Sequence, residues 1–127
     1  MSGIHSGGCL LLPKPDRYAK DHLWVVLTEP HGDSGDVVIV SLTTKRTGSD
    51  LTVVLRPGDH SFIDHETVVF YADARIVEAG ALTALIALNR ERRHDNCSPE
   101  LLSRIQQGLF DSPFTPKKIK EYCRDRF

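Results

Sequence analysis

Little sulfur, little aromatic mass and almost no net charge mark this sequence of 127 residues. The three cysteines, Cys9, Cys97 and Cys123, are odd in number and widely spaced, with no C-x-x-C pair. That pattern argues against a disulfide framework or a cysteine zinc site, and for reduced thiols in a cytoplasmic setting. A formal net charge of -1 supplies no global basic field, so any nucleic-acid contact needs a local patch. No apolar run approaches the ~20 residues that span a bilayer, and no membrane association is expected. Met1-Ser2-Gly3-Ile4-His5 lacks the basic and apolar regions of a secretion signal. P-loop, dinucleotide fingerprint, nucleophile elbow and triad spacings are all missing, which removes many enzyme classes and leaves no cofactor to expect.

An apolar share of 40% and a charged share of 26% are those of a folded chain, and the length suits one domain over residues 1–127. Two halves differ in period. From Cys9 to about Val77, short runs rich in Val, Ile, Leu and Thr alternate with Gly/Pro/Asp clusters, which are strand signals. The runs are Cys9 to Leu12, Leu23 to Thr28, Val37 to Leu42, Leu51 to Leu55, Thr67 to Tyr71 and Ala74 to Val77, the last two readable as one bent strand. No segment of crossover length separates them, so antiparallel pairing in a small, strongly bent barrel is expected.

After Glu78 the period becomes helical. Ala79 to Leu88 is apolar nearly all round, which predicts a buried helix, with Asn89 to His94 as its polar, cationic end. Ser98-Pro99-Glu100 carries a cap, a first-position proline and an early acid, followed by the stripe Leu101, Leu102, Ile105 and Leu109. Thr115-Pro116 repeats that start ahead of Ile119, Tyr122 and Cys123. The class is therefore α+β and mainly β: a barrel over about residues 9–78, then two or three helices over about 79–125.

Four constellations could carry chemistry. Asp59, His60, Asp64 and His65 repeat an Asp-His pair within one loop. The spacing matches no strong ligand pattern and Phe62-Ile63 is expected to point into the core, so turn capping that closes the barrel is favoured over a metal or catalytic cluster. Thr43-Thr44-Lys45-Arg46 ends a strand with two hydroxyls and two cations, a set that can hold a phosphate or simply be solvated. Asp73 interrupts two strand-like runs, as a general base or as a bulge residue paired with Arg75. Lys117, Lys118 and Lys120 oppose a helix dipole, and read as a solvated face or a patch for RNA or a partner.

In strand order, Trp24-Val25-Val26-Leu27-Thr28, Val37 through Thr44 and Thr67 through Ile76 resemble the recurring core of the PemK/MazF-like toxins. These are the endoribonucleases of bacterial toxin–antitoxin modules, and the resemblance covers roughly Cys9 to Leu88. It implies an SH3-like barrel capped by C-terminal helices, and metal-independent cleavage of RNA by its own 2′-oxygen. Thr43 and Thr44 would line the phosphate site, with Asp73 near the attacking 2′-hydroxyl. The family's Arg-Pro is replaced here by His22-Leu23-Trp24, so His22 would donate a proton or charge, and Arg46 or Arg56 would supply the permanent cation beside Lys45. The family's first loop is replaced by Pro13 to Tyr18. The resemblance also implies a homodimer and an antitoxin-like protein partner. The alternative is a catalytically inert barrel that binds protein or nucleic acid.

Overall fold

The computed structural model describes residues 3–13, 21–33 and 35–127. The loop replacing the family's first loop falls mostly outside them. Among these residues six strands form one antiparallel sheet: β1 (Cys9–Pro13), β2 (Asp21–Val26), β3 (Asp36–Thr44), β4 (Val54–Leu55), β5 (Thr67–Glu78) and β6 (Arg93–His94). Their spatial order is β4-β5-β3-β2-β1-β6. Three helices follow or interrupt them: α1 (Ala79–Leu88), α2 (Pro99–Asp111) and α3 (Lys117–Cys123). The mainly β, α+β class expected from the sequence is the class observed.

The two apolar runs at 67–77 are one strand. Its register against β3 shifts between Ile39 and Ser41, so β5 bends there, as a bulge requires. Curling buries both faces of the central strands. Leu23, Val25, Val38, Val40, Leu42, Val69 and Tyr71 face Leu101, Ile105 and Leu109 of α2 and Ile119 and Cys123 of α3. The alternate residues Trp24, Val26, Val37 and Ile39 form a second cluster with Leu10, Leu12 and Leu82. Burial on both faces explains why these strands read as continuous apolar runs instead of alternating ones.

Helix α2 starts as its sequence predicts: Ser98 Oγ accepts from the Leu101 amide (3.1 Å), with proline in the first turn. It lies very close to the sheet. A Cβ on Gly108 would collide with the Tyr71 hydroxyl and with Val53, and that hydroxyl donates to the Ile105 carbonyl (2.7 Å). Helix α3 departs from expectation. Pro116 occupies the cap position with no side-chain cap, and Thr115 is buried.

Two further expectations are corrected. Residues 89–94 do not prolong α1: Arg90–Arg92 make a short 3-10 turn, and Arg93–His94 pair with Cys9 and Leu10 as edge strand β6. Helix α1 itself is not buried. Only Leu82 is, whereas Ala81, Ala84, Leu85 and Leu88 are exposed.

Strands β4 and β6 are the two edges of the sheet, and side chains of the loop after β4 bridge them. His60 Nε2 donates to the Asp95 carbonyl (2.7 Å), Ser61 Oγ donates to the Asp95 carboxylate (2.6 Å), and the Phe62 ring meets His94 edge-on at 5.3 Å. Asp59 accepts from the Arg56 amide (2.8 Å), which is the turn chemistry expected of it. Ile63 is buried, whereas Phe62 is half exposed and so departs from its expected core position.

Candidate functional site

The bridging loop does more than close the sheet. Its far side forms one wall of a cleft of about 210 Å³. The start of β2 supplies Asp21, His22 and Leu23, and the end of β3 supplies Leu42, Thr43 and Thr44. Arg46, Phe62, Ile63, His65 and Thr67 complete the lining. Drug-type ligand pockets run to roughly 300–1,000 Å³, so this cleft is too small to enclose such a molecule.

Four residues singled out from sequence meet here: His22, Thr43, Thr44 and Arg46. The antiparallel meander makes this happen, because it sets the entry of β2 beside the exit of β3. His22 Nδ1 donates to the Leu42 carbonyl (3.2 Å), which leaves Nε2 with no hydrogen-bond partner among the described residues. Thr44 pairs with Thr67 and Thr43 with Val68 across the ladder. Arg46 is exposed, and its guanidinium has no carboxylate at ion-pair distance among the described residues.

His65 is the member that sequence reasoning placed in turn chemistry. Asp64 Oδ1 lies 2.5 Å from its Nδ1, and Thr44 Oγ1 lies 2.9 Å from its Nε2. A carboxylate can only accept, so Nδ1 carries the hydrogen, and in the neutral form of the ring Nε2 accepts from the threonine hydroxyl. The order carboxylate, imidazole, hydroxyl fixes one tautomer, with its basic nitrogen turned to the end of β3. The sequence signal was an Asp-His pair at the loop exit. Only folding reveals that it stands beside Thr44.

The remaining expected residues lie elsewhere. Asp73 is not among the cleft's lining residues; its carboxylate accepts from Arg75 Nη2 at 2.5 Å, and the Arg75 guanidinium sits 5.1 Å over the Trp24 ring. Lys45 and Arg56 share one counterion, Glu66, at 3.3 and 3.4 Å. Neither lines the cleft. On α3, Lys117 and Lys118 are exposed, and Lys117 stands 4.0 Å from Glu121. Among the described residues, no group of three or more His, Cys, Asp or Glu converges as a metal site would require. No helix there is long and apolar enough to cross a membrane.

Neutral Nε2 of His65 can take a proton, and His22, when protonated, can give one. Threonine hydroxyls and Arg46 can hold an anionic oxygen between them. No protein-family model, curated protein or solved structure matches this chain.

Proposed function

We propose that the protein is a PemK/MazF-like toxin-type endoribonuclease that cleaves RNA without a metal ion in the cleft between β2, β3 and the 60–66 loop. The observation that carries the reading is the convergence of His22, Thr43, Thr44, Arg46 and His65 on one cleft with the hydrogen-bond order Asp64, His65, Thr44. An incoming 2′-hydroxyl replaces Thr44 as the donor to His65 Nε2. The freed Thr44 hydroxyl, Thr43 and Arg46 then bind the phosphate oxygens.

In the chemical step His65 removes the 2′ proton and the 2′-oxygen attacks phosphorus. The bond from phosphorus to the 5′-oxygen breaks, and protonated His22 delivers a proton to that oxygen. The products are a 2′,3′-cyclic phosphate and a 5′-hydroxyl. On this reading the protein acts in the cytoplasm, as a homodimer held in check by an antitoxin-like protein partner. The second reading, an inert RNA- or protein-binding barrel, draws on the charge balance at the cleft. Asp21 lines it, Asp64 stands behind His65, and Glu66 holds both Lys45 and Arg56.

The test is incubation of a mixed RNA pool with the purified chain in EDTA, with chemical analysis of the new ends. The expected result is cyclic phosphate and 5′-hydroxyl termini, lost with Thr44→Ala or His22→Ala. An Asp73→Asn arm asks whether that carboxylate contributes. Intact RNA bound by the chain in a Thr44-dependent way would support the second reading instead.

A further inference from the structure

Helix α1 has two apolar faces, and the fold uses one. Ala79, Leu82 and Ile86, three and four residues apart, pack inward on the cluster around Trp24. Ala81, Ala84, Leu85 and Leu88 share the outward face, with Leu88 84% exposed. A helix that is apolar all round belongs in an interior. We infer that α1 packs antiparallel against α1 of a second copy of this chain.

Three features favour a second copy over a different partner. No charged residue occurs from Ala79 to Asn89, so two such faces meet without burying an unpaired charge. Antiparallel packing sets the macrodipoles head to tail. The charges flanking the helix are Glu78 before it and Arg90 after it, neither ion-paired among the described residues. A two-fold pair therefore brings each acidic end to a basic end, so the face is self-complementary. The inference gives the homodimer of the proposed reading its interface, but it is argued from α1 alone, so a monomer would leave the RNA-cleavage test untouched.

Sedimentation velocity across a wide range of concentration tests it. The wild-type chain is expected to dimerise weakly, because one helix is a small interface. Leu88→Lys, at a position too exposed to disturb the fold, is expected to leave only monomer. Glu78→Arg and Arg90→Glu should each weaken the dimer several-fold, and the double variant should restore it. A monomer at every concentration overturns the inference, and so does a dimer that Leu88→Lys leaves intact. Wild-type monomer that floats with phosphatidylcholine vesicles through Leu88 also overturns it, by assigning the face to lipid.

A second inference comes from the thiols, which the spacing in sequence keeps apart and the fold does not. Cys9 on β1 and Cys97 after β6 bring their Sγ atoms to 3.6 Å. Cys97 is half-buried, and its amide donates to the Gly7 carbonyl (2.8 Å), which fixes its segment beside β1. The hydrogen bond from Cys9 lowers the Cys97 pKa, and the same bond, with burial, raises that of Cys9. We infer that these two thiols form a reversible disulfide with glutathione disulfide as oxidant. The Cys97 thiolate attacks one glutathione sulfur and expels one glutathione thiolate. Cys9, losing its proton to solvent, then attacks the Cys97 sulfur and expels the second. Two protein thiols are oxidised, and one glutathione disulfide becomes two glutathione molecules.

Intact-protein mass after such incubation should fall by two hydrogen atoms, with a higher melting temperature that dithiothreitol reverses. Cys97→Ser should abolish both changes, while Cys123→Ser leaves them. A glutathione adduct persisting on Cys97 with Cys9 free overturns the inference. Unchanged mass in the folded wild type under the same conditions does so as well.

Discussion

Asp59-His60 and Asp64-His65 repeat one dipeptide within one loop, yet the fold uses the two histidines in opposite ways. His60 is 8% exposed, and main-chain groups take both its ring nitrogens: Nε2 donates to Asp95, and Nδ1 accepts from the Phe62 amide (3.0 Å). It is a fastener between sheet edges. His65 is exposed, and side chains take its nitrogens: a carboxylate on one side and a threonine hydroxyl in a cleft on the other. A histidine whose hydrogen bonds end on the backbone is committed to the fold, because losing it unties the segments it joins. One whose hydrogen bonds end on exposed side chains can exchange them for a substrate's.

Replacing each histidine should separate the two roles. The largest effect is expected from His65→Ala, which should lower RNA cleavage in EDTA by at least about 10²-fold, the usual contribution of a positioned acid or base. Its stability to urea should change by no more than about 0.5 kcal/mol, as for other exposed positions. His60→Ala reverses the pattern. It breaks the part-buried hydrogen bonds to the Asp95 carbonyl and the Phe62 amide, and should destabilise the chain by about 1–2 kcal/mol. Cleavage per folded molecule should be nearly unchanged, which unfolding curves and activity at low temperature together would reveal.

Asp64→Asn comes next. It keeps the shape but lets the side chain donate as well as accept, so the tautomer of His65 is no longer fixed. A loss in rate smaller than that of His65→Ala, with unchanged binding of RNA, is the expected outcome in single-turnover assays. The smallest effect sharpens the comparison with a carboxylate that acts only in the fold. Burial pushes the Asp50 carboxyl up, but hydrogen bonds from Ser112 and Thr52 outweigh it and hold the pKa below its ordinary value of 3.8. A depressed pKa means that this stabilisation is full above the unfolded value and is lost as pH falls through the folded one. Acid melts should therefore show an Asp50 contribution that disappears below about pH 4, the unfolded carboxylate range. Asp50→Asn should flatten that part of the curve.

The fold was largely legible because strand signals are local. Val37 to Leu42 and Leu23 to Thr28 are apolar without a break because both their faces are covered, and the Ser98-Pro99-Glu100 start of α2 is a chemical signal within one turn. What could not be read depends on distant neighbours. Arg93–His94 is a strand only because Cys9 and Leu10 lie alongside, and nothing in its own residues says so. The apolar content of α1 implied burial, but this structure covers one face and leaves the other to solvent.

The site divided in the same way. Thr43, Thr44 and Arg46 stand out as hydroxyls and a cation at a strand end, His22 only through the family resemblance, and the meander gathers them. For Asp73 the resemblance points to the cleft and its own neighbours to Arg75, and in the bent β5 it pairs with Arg75. His65 carried no distinguishing mark over His60, since the difference lies in what each meets across the loop.

The most direct measurement is the single-turnover rate of RNA cleavage in EDTA for the wild type and His65→Ala, each corrected for the folded fraction. The account predicts cleavage by the wild type to cyclic-phosphate ends and a rate at least about 10²-fold lower in the variant. Equal rates, or no cleavage by a fully folded wild-type chain, would contradict it.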